Sequence, residues 1–155
     1  MTASSEARRV AALAARAAAE RKAQDVVAID VSDVLAISDA FVIASADNDR
    51  QVRSIVDEVD EQLSAAGLEP KRREGGRENR WVLLDYGVVV VHVQRDKERE
   101  FYALDRLYRD CPLIEVEGLE TPERPGQWEA DSDPREARSI DDIPLAEGPP
   151  DEDEF

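Results

Sequence analysis

Apolar positions along the first 114 residues recur with two periods, and their alternation sets out the elements. Ser4 or Ser5 can cap a first helix in which Val10, Leu13, Ala14 and Ala17 recur at helical spacing. Val26 to Val31 follows as a short apolar strand, and Phe41 to Ala46 as a second. Both are near-continuous apolar runs, the pattern of strands covered on both faces. Asp47 or Asn48 caps a long helix whose stripe is Val52, Ile55, Val56, Val59 and Leu63. Asp57, Glu58, Asp60 and Glu61 fall on its wet side, and Gly67 ends it. Pro70 to Arg80 is charged and contains Gly75 and Gly76, so it reads as a loop or a short edge strand. Trp81 to Tyr86, Gly87 and Val88 to Gln94 form a strand, a tight reversal and a returning strand. A last helix is predicted from Asp96 to Tyr108, with Phe101, Leu104, Leu107 and Tyr108 facing inward and Cys111-Pro112 stopping it. The order is helix, strand, strand, helix, hairpin, helix, which makes an α/β domain with a mixed β-sheet flanked by helices.

Charge divides the chain at residue 114. The chain has 155 residues and a net charge of −16. Residues 115 to 155 hold fifteen acidic and three basic side chains, a net of −12, together with six of the eight prolines. Such a segment offers too little apolar burial to offset ~1–2 kcal/mol of backbone entropy per residue. Residues 1–114 are therefore expected to be the domain. Residues 115–155 read as an acidic, proline-rich tail, disordered from about Glu117 and carrying one aromatic oddity, Trp128. The simpler reading of this tail, and the favoured one, is a solubilising segment; the sharper one is a competitor for a basic surface, within the chain or on a partner.

The same acidity argues against a general nucleic-acid binder and against a polybasic membrane anchor. No run approaches the ~20 apolar residues of a spanning helix, and the alanine-rich start lacks a signal-peptide core. One cysteine leaves no internal disulfide, so the expectation is a cytoplasmic protein of a reducing compartment.

The chemistry of catalysis is thin. His92 is the only imidazole and stands among valines, the setting of a half-buried structural residue. Cys111 reads as a small apolar filler. No phosphate-binding glycine motif occurs, and Asp47-Asn48-Asp49 is explained more simply by helix capping than by magnesium. Asp30 and Asp85 lie at the ends of different strands and are the remaining candidates for paired carboxylates. No cofactor, metal site or catalytic residue is expected. Aromatic residues in a charged frame remain: Trp81 shares a strand face with Leu83 and Asp85, and Tyr86 sits at the hairpin turn. Trp81 suits a core or an interface, whereas Tyr102 falls outside the helical core stripe and reads as an interface residue.

The segments DVVAIDV (25–31), DAFVIAS (39–45), DRQV (49–52), RWVLLDYGVVVVHV (80–93) and EREFYALDRL (98–107) resemble the ribosomal silencing factor RsfS family, also called YbeB or Iojap. The resemblance covers roughly residues 8 to 114. It implies a sheet similar to that of nucleotidyltransferases without their catalytic signature. It also implies a translational repressor, not an enzyme, acting under starvation or in stationary phase. Such a protein binds the large ribosomal subunit through ribosomal protein fourteen, blocks joining of the small subunit, and forms a homodimer when free. Carried over residue by residue, Trp81, Asp85, Tyr86, Glu98, Phe101 and Tyr102 are the partner-facing or partner-supporting positions. Val88 departs from the family, which commonly has an acidic residue there. Two other readings stay open: a factor in large-subunit assembly, and a metal-dependent nucleotidyltransferase using Asp30, Asp85 or the Asp47/Asp49 pair.

Overall fold

Ser4 caps the first helix, its Oγ accepting from the Ala7 amide at 3.1 Å. The structure, a computed structural model, describes residues 3–35, 38–75 and 80–119. In chain order the elements are α1 (Ser5–Glu20), β1 (Gln24–Asp30), β2 (Ala40–Ala46), α2 (Asp49–Ala65), β3 (Arg72–Glu74), β4 (Trp81–Asp85), β5 (Val89–Arg95), α3 (Asp96–Tyr102) and α4 (Leu104–Leu107). The strands form one sheet in the order β1-β2-β5-β4-β3. Only β2 and β5 run parallel, and every other neighbour is antiparallel. The mixed sheet flanked by helices is the architecture expected from the sequence, with the charged 70–80 stretch supplying β3 as a short edge strand.

Each sheet face has its own core. On one, α1 and α2 pack against Val42, Ala44, Val82, Leu84, Val91 and Val93. Alanine dominates the buried side of α1, with Ala7, Ala11, Ala14, Ala15, Ala17 and Ala18 all enclosed, so the helix backbone lies close to its neighbours. The predicted stripe of α2 is buried residue for residue, and Asn48 is its cap, accepting from the Gln51 amide at 2.8 Å. Gly67, at φ 87°, follows the helix end. On the other face, Phe41, Ile43, Trp81, Leu83 and Val90 are covered by Leu104, Tyr108 and Cys111. Both β2 and β5 are buried on both sides, which is why they read as unbroken apolar runs.

Residues past 112 close the free edge of β1. Asp30 N donates to Pro112 O and Ile114 N to Ala28 O, each at 2.8 Å. Ile114 and Val116 enter the helix-side core, and Leu119 packs against it. The proposed acidic tail beyond Leu119, including Trp128 and the 151–154 acidic run, lies outside the described residues.

The last helix departs from expectation. It is two pieces, because Ala103 takes a left-handed conformation at φ 48° between them. The turn changes the helical phase. Phe101, expected inside, is 64% exposed, while Tyr102, expected outside, packs against the second core. Asp30 and Asp85 do not meet either. With β2 and β5 between their strands, roughly three spacings of ~4.8 Å separate them. Asp30 instead accepts from Ala3 N, Ser32 N and Ser32 Oγ at 2.9, 3.0 and 2.6 Å. Burial raises its pKa, but those bonds, first that of the Ser32 hydroxyl, and the Arg8 charge outweigh it and hold the carboxyl below its usual range. It is a structural clasp on the N-terminal segment.

Candidate docking face

Four of the six candidate positions gather where β4 begins and α3 lies over the sheet. Trp81 is 1% exposed. Its indole N–H donates to His92 Nδ1 at 3.1 Å, and its ring lies 4.9 Å from that of Tyr102. Tyr102 in turn meets Phe101 edge to face at 4.9 Å. The result is a ladder of aromatic rings rising from the sheet to solvent, with Trp81 as foot and Phe101 as exposed rung.

His92 is completely buried, more than the half-burial the sequence suggested. Burial drives its pKa down to about 3, so the ring is neutral at physiological pH. Because Nδ1 accepts from Trp81, the proton resides on Nε2. His92 is a buried acceptor orienting a tryptophan. Cys111 is the apolar filler expected, 3% exposed within the second core.

Glu98 is the brace of this face. It is wholly buried on a seven-residue helix that has no side-chain N-cap. Arg95 Nε and Nη2 grip its two carboxylate oxygens at 3.1 Å each, and Arg80 Nη1 stands 3.7 Å away. The bidentate fork fixes direction as well as charge. On the opposite flank of α3, Arg99 donates to both Asp105 oxygens (3.1 and 3.3 Å) and to Ser45 Oγ (3.2 Å). These two arrangements tie a short helix to β4, β5, β2 and α4. Arg95 and Arg99 were not singled out from sequence. Their signal is the charged run RDKERE (95–100), which reads as a wet surface until the sheet is placed beneath it.

The other two candidates lie elsewhere. Asp85 is at the far end of β4, where Oδ1 accepts from Gly87 N at 2.8 Å and Oδ2 stands 3.7 Å from Arg72 Nε. It shapes the hairpin turn, whose Gly87 sits at φ 90°. Tyr86 points to the α1–α2 side and is 8% exposed. Burial first, then the charges of Asp60 and Glu69, push its hydroxyl above the usual range. Val88, 36% exposed, lies beside that turn. Asp47 accepts from Gln24 Nε2 at 3.2 Å. Among the described residues no group of three histidine, cysteine or carboxylate side chains is arranged to hold a metal.

Fold and site together define a mixed α/β protein that displays one large aromatic residue on a doubly tied helix. Residues 4–141 match the family described as ribosomal silencing factor during starvation, and the chain belongs to that family. A ribosomal silencing factor RsfS from Halalkalibacterium halodurans is 40% identical over 107 residues, 69% of this chain and 92% of that protein. One from Bacillus subtilis is 38% identical over 105 residues, 68% of this chain and 89% of that one. A crystal structure of a Chromobacterium violaceum protein superposes with a TM-score of 0.63 at 27% identity, covering 75% of this chain and 92% of that one. A Bacillus halodurans structure gives 0.59 at 38% identity, covering 67% and 94%.

Proposed function

We propose that this protein represses translation by occupying the large ribosomal subunit at ribosomal protein fourteen, so that the small subunit cannot join. Family membership supports a silencing role at the ribosome. The observation that carries the docking reading is Phe101, a large apolar side chain 64% exposed on a helix fixed by partly buried ion pairs. Interface anchors have this character: an aromatic group held rigid before the partner arrives. Trp81, Glu98 and Tyr102 then act beneath the surface, as its support. Asp85 and Tyr86 fix the hairpin at the far end of β4.

The mechanism is exclusion of one ligand by another. A stable interface needs about 1,600 Å² in total, and a body of this size seated there fills volume the small subunit requires. Repression then scales with abundance and affinity and needs no catalysis or cofactor. The proposal includes a cytoplasmic homodimer as the free form, action chiefly during starvation, and a sheet of nucleotidyltransferase type lacking the catalytic signature.

Co-sedimentation of the full chain with isolated large subunits, repeated after adding small subunits, tests the reading. Retention on the large subunit with fewer joined ribosomes is expected. Free passage of the protein, or undiminished joining at saturation, overturns it. Immature large subunits in cells lacking the protein would replace silencing by a role in assembly.

A further inference from the structure

Two side chains on the sheet face beneath α3 carry buried polar atoms that the described residues leave unmatched. Gln94 and His92 are each completely buried. They stand two residues apart on β5, so both point to one face of the sheet. It is the face of Phe41, Ile43 and Trp81. The register sets Gln94 between Trp81 of β4 and Ser45 of β2. Neither the nitrogen nor the oxygen of the Gln94 amide has a hydrogen-bond partner among the described residues, and neither has Nε2 of His92. The other ring nitrogen is engaged, since Nδ1 accepts from the Trp81 indole at 3.1 Å.

Nearly all buried amides and imidazoles in folded proteins are paired, because a polar atom taken out of water without a new partner destabilises the fold. The neighbours do not supply the pairing. Turning the His92 ring over would put a carbon in place of Nδ1 and break its bond to Trp81. The indole N–H is committed to that same bond. Ser45 Oγ donates to Gln24 O at 3.3 Å and accepts from Arg99 Nη1 at 3.2 Å, so it has no proton left for the Gln94 oxygen. Ile43 and Leu83, which flank His92 on the two adjacent strands, have no polar side-chain atom.

The pair therefore calls for a small molecule that accepts from an imidazole N–H and donates to an amide oxygen. Water does both. An ion would be buried beside two neutral side chains, at a far greater cost in lost hydration. Residues two apart on a strand lie ~6.7 Å from each other at Cα. Two hydrogen bonds of ~2.8 Å that meet at one oxygen bridge a gap of that order.

We propose that enclosed water links His92 Nε2–H to the side-chain amide of Gln94, one molecule accepting from the imidazole and donating to the amide oxygen. The amide nitrogen donates to the same water or to a neighbour of it. The hydrated pair underlies the foot of the aromatic ladder. Water holds the His92 ring, His92 holds the Trp81 indole, and Trp81 meets Tyr102 at 4.9 Å. His92 and Gln94 are thus positioning residues, and the water site stands whether or not Phe101 docks on a ribosome.

A crystal structure of the full chain at about 1.8 Å or better tests the site, with Gln94→Met as the companion variant. Methionine keeps the unbranched shape of glutamine but offers water no strong partner. A solvent peak is expected ~2.7–3.2 Å from both His92 Nε2 and the Gln94 amide oxygen. Gln94→Met should melt about 4 °C or more below the parent, because the imidazole N–H loses the water that satisfied it. Were the amide merely unpaired, the same substitution would remove its penalty and raise the melt. A smaller fall or a rise therefore overturns the proposal, as does a protein group bonded to His92 Nε2 or Gln94 Oε1 in place of solvent. Should Gln94→Met fail to fold, nuclear magnetic resonance of the parent decides the matter alongside the crystal structure. Cross-relaxation between the His92 Nε2 proton and a long-lived water supports the site, and a visible Nε2 proton without it overturns the site.

Discussion

Phe101 and Trp81 are both aromatic candidates, yet substitution at each tests a different thing. Phe101 is 64% exposed and Trp81 1%. Truncating an exposed side chain usually moves stability by no more than about 0.5 kcal/mol, whereas loss of an interface anchor costs about 2 kcal/mol or more in affinity. Phe101→Ala should therefore melt like the parent while its affinity for the large subunit falls about thirtyfold, measured by quantitative co-sedimentation. Trp81→Ala removes a buried ring at roughly 3–5 kcal/mol of stability, so any loss of binding there reflects the fold first. His92 makes a separate, pH-dependent contribution. Its folded pKa is about 3, against the ordinary 6.5, so below pH 6.5 the unfolded chain binds a proton that the folded chain refuses. The stabilising effect is complete above pH 6.5 and is lost as pH falls from there toward 3, by up to about 1.4 kcal/mol per pH unit. His92→Gln keeps an acceptor for the Trp81 indole but does not titrate. Between pH 7.5 and 5.5, above the carboxylate range, its unfolding free energy should fall less steeply than the parent's in urea titrations. Identical slopes would show that His92 is not the group responsible.

At the scale of elements, α3 is the one whose sequence and structure disagree. The long stripe of α2 and the apolar runs of β2 and β5 were readable because burial there follows local periodicity: Val52, Ile55, Val56, Val59 and Leu63 are the buried positions of α2, and Ala40 to Ala46 is buried throughout. In the 96–108 segment the spacing of Phe101, Leu104 and Tyr108 mimics one continuous helix, and the left-handed residue that breaks it is an alanine, which carries no turn signal. Glu98 was equally opaque as a buried group. A carboxylate reads as wet, and its arginines come from the entry to β4 and the end of β5, a pairing only the tertiary fold creates. What could be read was that Glu98, Phe101 and Tyr102 belong to one block; which of them faces outward could not. Two expectations follow from the break and the brace. Ala103→Gly removes the cost of a left-handed alanine, ~1–2 kcal/mol, less the entropy of glycine. A gain of about 0.5–1 kcal/mol should appear in thermal unfolding; a loss would mean the turn is not held as described. Glu98→Ala leaves two arginines facing a buried void and should cost about 3 kcal/mol. Subunit affinity should fall with it, because α3 no longer holds Phe101 in place.

Over the whole molecule, most of the net charge lies beyond the residues that build the two described cores. Both described cores are built from residues up to Leu119, while residues 120–155 carry thirteen acidic and three basic side chains, a net of −10 out of −16. A ribosomal subunit is dominated by RNA phosphate, and a polyanionic segment approaching it is repelled over the Debye length, ~30 Å at 0.01 M ionic strength and ~8 Å at 0.15 M. The contact proposed at Phe101 is apolar and short-ranged and hardly feels salt on that scale. Truncation after Leu119 should therefore leave the melting temperature within a degree or two of the parent. It should speed association with large subunits at 10 mM salt, with the difference largely gone at 150 mM, as stopped-flow or surface-binding kinetics would record. Slower association of the truncated chain at low salt would mean that the acidic segment steers toward a basic protein surface. Equal rates at both salts would mean that residues 120–155 play no electrostatic part in docking, leaving recognition entirely to the folded domain.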